Sequence, residues 1–207
     1  MISRFYLLSP ESPEPVGERI SLAVGESLEA CILVLPGYSG SLDLTLDLDG
    51  EGASAEVYGA FLCTGSEEVA LRVDVNHNVP SCQSRQLFKG IAGGTAKASF
   101  KGLVTVRPGA IRTEAYQETH NILASETARV EADPQLEIYA DDVQCSHGAT
   151  VGHLDELAQY YMRSRGIPEQ EARLLQMVSF LAPVLQHLPS TCRESLMTSV
   201  ESALRTL

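Results

Sequence analysis

Pro134-Gln135-Leu136-Glu137-Ile138-Tyr139-Ala140-Asp141-Asp142-Val143-Gln144-Cys145-Ser146-His147-Gly148-Ala149-Thr150-Val151-Gly152 is the stretch on which the fold and the chemistry of this chain turn. Cys145 and His147 stand two apart, so an extended strand puts both on one face and Ser146 on the other. A thiolate and a neutral imidazole on one face can bind iron, copper or zinc, but two ligands do not close a metal site. The ordinary alternative is that Cys145 is a small core hydrophobe and His147 a hydrogen-bonded structural residue. Asp141 and Asp142 are adjacent and face opposite ways in a strand. They therefore make no paired acid and base of the kind a glycosidase needs.

Working outward from this block, the chain up to about residue 150 reads as β throughout. Leu42-Asp43-Leu44-Thr45-Leu46-Asp47-Leu48 alternates strictly, as do Val69-Ala70-Leu71-Arg72-Val73-Asp74-Val75 and Ala128-Arg129-Val130-Glu131. That period is the mark of a strand with one buried face. Ala98-Ser99-Phe100-Lys101 and Leu103-Val104-Thr105-Val106 read as an extended pair around Gly102. Breaks fall at Pro36-Gly37, Asp49-Gly50-Glu51-Gly52, Gly93-Gly94 and Pro108-Gly109, where glycine reaches φ > 0 and proline removes a ladder donor. Short strands with frequent turns fit a sandwich or barrel, or a stack of β-helix coils. No exact internal repeat is present, and pattern alone favours the commoner sandwich.

Past residue 152 the pattern becomes helical. Leu154, Leu157, Ala158, Tyr161 and Met162 recur at helical spacing, with Gly166 placed to end the helix. Pro168 suits the first turn of a second helix with the stripe Leu174, Leu175, Val178, Leu181, Leu185 and Leu188, which Pro183 is expected to kink or split. Thr191 and Glu194 form a capping box ahead of a third helix with the stripe Leu196, Val200, Ala203, Leu204 and Leu207. Each apolar face must be buried against another helix, the β body or a partner.

The charge is −12, from 27 acidic and 15 basic residues. The part before Val151 carries −11 of this and the tail −1. An acidic body repels a phosphate backbone, so nucleic acid is a poor partner. The five cysteines, at 31, 63, 82, 145 and 192, form no CxxC pair, which argues against a disulfide framework and fits a reducing compartment. The longest apolar runs, such as Cys31-Ile32-Leu33-Val34-Leu35, are far too short to span a bilayer. Met1-Ile2-Ser3-Arg4-Phe5 opens a poor signal peptide, so the expected location is cytoplasmic, with no membrane partner. Neither GxGxxG nor GxxxxGK[ST] occurs, so no dinucleotide fingerprint and no intrinsic ATPase motif is present.

The block from Pro134 to Gly152 closely resembles the signature of the SufB/SufD family, the paired scaffold proteins of iron–sulfur cluster assembly. Three further stretches resemble the same family. They are Asn78-Val79-Pro80-Ser81-Cys82-Gln83-Ser84-Arg85-Gln86-Leu87-Phe88-Lys89-Gly90, the pair Phe100-Lys101-Gly102 and Pro108-Gly109-Ala110, and Tyr160-Tyr161-Met162-Arg163-Ser164-Arg165-Gly166-Ile167. The resemblance is strong from about residue 75 to 180. It implies a mainly β fold, a right-handed parallel β-helix with a small C-terminal α-helical region. The expected division is 1–152 for the β-helix core and 153–207 for the helices, with the β-helix over roughly 20–150 and the helices at its end. Family members carry a further N-terminal region, which is expected to be missing because the β pattern begins almost at once.

The resemblance also carries roles. In the SufD-like branch the histidine of this motif lies at the interface with a SufB-like subunit, where the nascent cluster is thought to form. That role falls on His147, with Cys145 close by, and makes the two the expected metal ligands. The SufB branch has a persulfide-accepting cysteine whose place falls at about Thr119, and a His-Glu pair where this chain has His147-Gly148. Both departures place the chain nearer SufD. His120, beside Thr119, is a weaker candidate ligand; the alternative for it is an exposed or turn-associated histidine. His77, between two asparagines, reads as a turn residue. The implied function is a scaffold and not an enzyme. No cofactor is expected to be tightly bound in isolation, and a transient Fe–S cluster is expected in the complex. The implied partners are a SufB-like subunit and a SufC-like ABC-type ATPase docked on the helices. An isolated chain can pair with itself through an uncovered edge. The remaining alternatives are a non-catalytic interaction paralogue, a tail that only caps the coil, and a β-helix carbohydrate-active enzyme.

Overall fold

The computed structural model describes residues 1–11 and 17–207. Its strands form two sheets, and every pairing between neighbours is parallel. One sheet stacks β1 (Ile2–Leu8), β3 (Ser27–Val34), β5 (Ser54–Cys63), β7 (Gln83–Ala92), β9 (Glu114–Leu123) and β11 (Gln144–Gly152) in that order. The other stacks β2 (Gly17–Leu22), β4 (Gly40–Leu48), β6 (Glu68–His77), β8 (Lys97–Val106) and β10 (Arg129–Ile138). The chain therefore alternates between sheets and climbs one coil for every two strands, which is a parallel β-helix and not the sandwich that pattern alone favours. Strands begin at Ile2, well before the expected residue 20. Coils lengthen from 26 residues, where Ile2 lies beside Leu28, to 32, where Lys97 lies beside Arg129. This drift explains why no exact repeat is visible. The segment around Gly102 is one strand, β8, and not two.

Alternation sorts the side chains into an interior and an exterior. Leu8, Leu22, Ile32, Leu46, Phe61, Phe88 and Phe100 fill the coil interior. Between β5 and β7 the interior is matched rung by rung: Gly59 pairs with Phe88, and Phe61 with Gly90. Each ring occupies the space that the glycine opposite leaves open. The turns are tied by polar clips. Glu67 accepts from the backbone N–H groups of Gly37, Thr64 and Gly65. Burial raises the affinity of its carboxyl for a proton, but these bonds outweigh it and hold the group below the usual carboxylate range. Gly94, at φ 55°, passes so close to the coil below that a Cβ would lie 2.3 Å from the Gly65 carbonyl oxygen.

Three helices follow: α1 (Glu156–Ser164), α2 (Glu169–Leu185) and α3 (Arg193–Leu204). Asp155 caps α1 by accepting from the backbone of Leu157 and Ala158, and Gly166 at φ 88° ends that turn of chain. Pro168 sits at the N-cap of α2, and the helix continues through Pro183 into its last turn unsplit. The Thr191–Glu194 capping box does not form; Cys192 holds the N-cap of α3, and its side chain makes no capping bond to the helix. The helices do not sit at the end of the β-helix as expected. They lie along the outer face of the six-stranded sheet, where Leu174, Met177, Leu181 and Leu185 pack on Cys31, Leu33, Tyr58, Leu62 and Ile91. His187, just past α2, stacks on Tyr58 with ring centroids 3.4 Å apart and meets Glu29 at 3.2 Å.

Candidate functional site

With the helices on its side, no strand among the described residues stacks on the last coil. β10 and β11 are the terminal strands of their sheets, and each presents a free edge of backbone donors and acceptors. Interior-facing positions of that coil are accordingly part exposed. Val130, Leu136, Val143 and Cys145 still touch the interior core. Ile138 and Val151 are 44% and 45% exposed. These apolar side chains form an exposed rim at the open end of the coil.

Cys145 and His147 lie on β11 beside Ala115 and Gln117 of β9. Ala115 and Gln117 are fully buried and point into the coil, so Cys145 and His147 share the inward face at the open end, as their spacing requires. Cys145 is half-buried. Burial pushes its thiol above the ordinary value, partly offset by a backbone hydrogen bond from Ala115. Burial thus favours the neutral thiol over the thiolate. His147 is exposed and has no hydrogen-bond partner among the described residues. No group of three or more His, Cys, Asp or Glu side chains stands ready to hold a metal among the described residues. This pair supplies two ligands at most.

His120 is not brought to the pair. It faces outward on β9, with Nδ1 2.9 Å from Thr150 Oγ1 and Nε2 3.4 Å from Glu118 Oε2. Thr119 faces inward beside Ala149 and is fully buried. His77 is not a turn residue: it ends β6 inside the coil, fully buried, with Nε2 2.8 Å from Ser84 Oγ. Burial pushes its imidazole down to about 4. His153 links β11 to α1, its Nδ1 3.1 Å from the Leu123 carbonyl oxygen. Cys31 and Cys63 are buried among apolar side chains, which pushes both thiols up to about 12 and makes them inert.

One feature of the site is not legible in the sequence. Gln86 and Gln117 form a buried amide pair under His147, Gln117 Nε2 donating to Gln86 Oε1 at 3.2 Å. Gly102 of the opposite sheet makes room for them, since a Cβ there would lie 2.0 Å from Gln117 Nε2. The signal was the parity of Glu114-Ala115-Tyr116-Gln117, legible only once Ala115 is known to face inward. The helix α1, expected from its apolar spacing, buries no residue: Leu157 and Tyr161 of the expected stripe are 80% and 59% exposed, and Tyr160 is 71% exposed. Beside them a groove of about 610 Å³ runs between α1, α2 and the ends of β9 and β11, lined by Ile122, Leu154, Met162, Leu175 and Phe180. No helix among the described residues is long and apolar enough to cross a membrane.

Comparison with known proteins places these features in context. The sequence model of one protein family, described as SUF system FeS cluster assembly, SufBD core domain, matches residues 16–180. The chain is 40% identical over 141 residues to the iron–sulfur cluster assembly protein SufD of Escherichia coli (strain K12), covering 68% of this chain and 33% of that protein. It is 34% identical over 145 residues to SufD of Bacillus subtilis (strain 168), covering 70% and 33%. A SufBD family protein of Synechocystis sp. (strain ATCC 27184 / PCC 6803 / Kazusa) is 33% identical over 147 residues, covering 71% and 32%. The matched part is thus about a third of each relative's length.

Proposed function

The chain belongs to the SufBD core-domain family of the SUF iron–sulfur cluster assembly system, and from that premise we propose that it is a SufD-like scaffold subunit whose open coil end receives a SufB-like partner. The observation that carries the proposal is the same-face pair Cys145 and His147 on an uncovered terminal strand. A second β-helix laid against this end would pair with the free edges of β10 and β11 and cover Ile138 and Val151. The nascent cluster is cargo at that junction. His147 offers an imidazole nitrogen as a ligand. Cys145 gives up its proton only as iron approaches, because burial favours the neutral thiol until a cation is near. The remaining ligands and the sulfur come from the partner, since the place of the persulfide-accepting cysteine falls at about Thr119, whose hydroxyl cannot carry sulfane sulfur. The chain supplies geometry, not turnover.

The same reading divides the labour. Residues 1–152 form the core that builds the shared face, and 153–207 the helical region that docks a SufC-like ATPase. Support for the second part is the exposed Leu157, Tyr160 and Tyr161 of α1 beside the apolar groove. ATP dependence would come from that partner. A lone chain would pair with itself through the same free edges, and the setting is a reducing cytoplasm, in keeping with its free thiols.

The test is cluster formation on the complex reconstituted with the SufB-like subunit and the ATPase of the same cell, followed by absorbance. His147→Ala is expected to abolish formation while leaving the complex assembled. Normal formation on an intact His147→Ala complex rejects the proposal.

A further inference from the structure

Gln86 of β7 and Gln117 of β9 are register partners that point into the coil, and they are 1% and 0% exposed. On parallel in-register strands, side-chain amides stack as a ladder in which each donates to one neighbour and accepts from the other. Here Gln117 Nε2 donates to Gln86 Oε1. The planar amide then turns Gln117 Oε1 away from β7, and that oxygen has no partner. At the other end of the ladder the neighbour of Gln86 is Val57, which offers nothing, and Gln86 Nε2 is likewise unpaired. The next position above Gln117 is His147. Leaving a buried carbonyl unpaired costs about 1–3 kcal/mol. The other interior acceptor without a partner on that strand, Asn121 Oδ1, lies beside Val151, which carries no side-chain donor.

We infer that Gln117 is the positioning residue for His147: when a partner covers the coil end, the imidazole turns inward and donates one ring N–H to Gln117 Oε1, leaving the lone pair of its other nitrogen facing the junction. This rests on the reading of His147 as the cluster-facing residue. Covering the end removes the water that competes for the ring, and the unpaired carbonyl supplies the driving force. The result is one tautomer in one orientation, the arrangement that metal-binding histidines commonly obtain from a carbonyl or carboxylate behind them.

The test is nitrogen NMR of the full chain labelled with ¹⁵N-histidine, bound to the SufB-like subunit. The ring nitrogens of His147 are expected to report a single tautomer. Gln117→Leu keeps the volume and removes the acceptor, so it should return the ring to the mixture of an unrestrained imidazole. It should also weaken iron retention by on the order of 10-fold. Thr119→Val removes a neighbouring interior hydroxyl that faces Ala149 and should leave the His147 signals unchanged. A tautomer mixture in the unmodified complex overturns the inference whether or not the variants fold, and so do His147 signals that ignore Gln117→Leu in a folded complex. Cluster formation that ignores His147→Ala would instead reject the cluster reading, and the nitrogen signature would still decide whether Gln117 orients the ring.

Discussion

Gly90→Ala tests the interior matching of the coils most directly. Gly90 faces Phe61 across the β5–β7 ladder. An added Cβ would lie 1.9 Å from Phe61 Cζ and 2.3 Å from both Cε atoms, against about 3.5 Å for a normal carbon–carbon contact. The clash is with the ring itself and not with the end of a flexible chain. Phe61 is 1% exposed, with Phe88 beside it in the same core, so the ring has nowhere to retreat. Overpacking of this kind costs about 1–3 kcal/mol, offset by at most ~1 kcal/mol from replacing glycine in a strand. The expected net loss is about 2 kcal/mol, equivalent to a Tm fall of roughly 4–8 °C for a chain of this size. Urea unfolding of the full chain gives the value. Gly148→Ala is the control, because nothing lies within 4 Å of a Cβ at that position. Adding Phe61→Leu to Gly90→Ala should recover part of the loss, since the two side chains compete for one space. A Gly90→Ala chain within about 0.5 kcal/mol of the parent, or a double variant whose losses simply add, would refute the argument.

The buried His77 predicts an acid-sensitive stability. Its imidazole stays neutral in the folded state down to about pH 4, whereas the unfolded chain takes up that proton near 6.5. The contribution is therefore complete above pH 6.5 and is lost as pH falls toward 4, with an amplitude of roughly 3 kcal/mol; His77→Gln should flatten urea midpoints across that window, and an unchanged slope would count against the assignment. For the helical surface, Leu157→Ser combined with Tyr160→Ser should weaken co-purification with the ATPase by about 10-fold or more and leave stability within ~0.5 kcal/mol, because α1 buries neither side chain. Full binding by that variant would remove α1 from the docking surface.

Local sequence determined a good deal of this protein. The alternation in Leu42–Leu48 and Val69–Val75 marks β4 and β6, the glycine pairs mark the turns between strands, and Leu174, Leu181 and Leu185 mark the buried stripe of α2. These follow from period alone, which needs only neighbours in the chain. Period does not say which strand lies beside which, so pattern favoured a sandwich. The resemblance carried by Pro134–Gly152 was needed to point to a β-helix. The same limit explains His77. Asn76-His77-Asn78 looks like a turn, yet its partner Ser84 lies on the next strand, inside the coil. It also explains the helices. Cys31-Ile32-Leu33-Val34-Leu35 is apolar at every position because one parity faces the interior and the other faces α2 and α3. That run is a signal of a strand buried on both faces, but nothing local says what covers the outer one. Cys145 and His147 share a face by spacing alone. Whether that face was interior, and whether anything stacked on it, was decided by register across strands some 30 residues apart, where Gln144 lies beside Glu114. Such pairings depend on contacts between distant segments, and those exist only once the chain has folded.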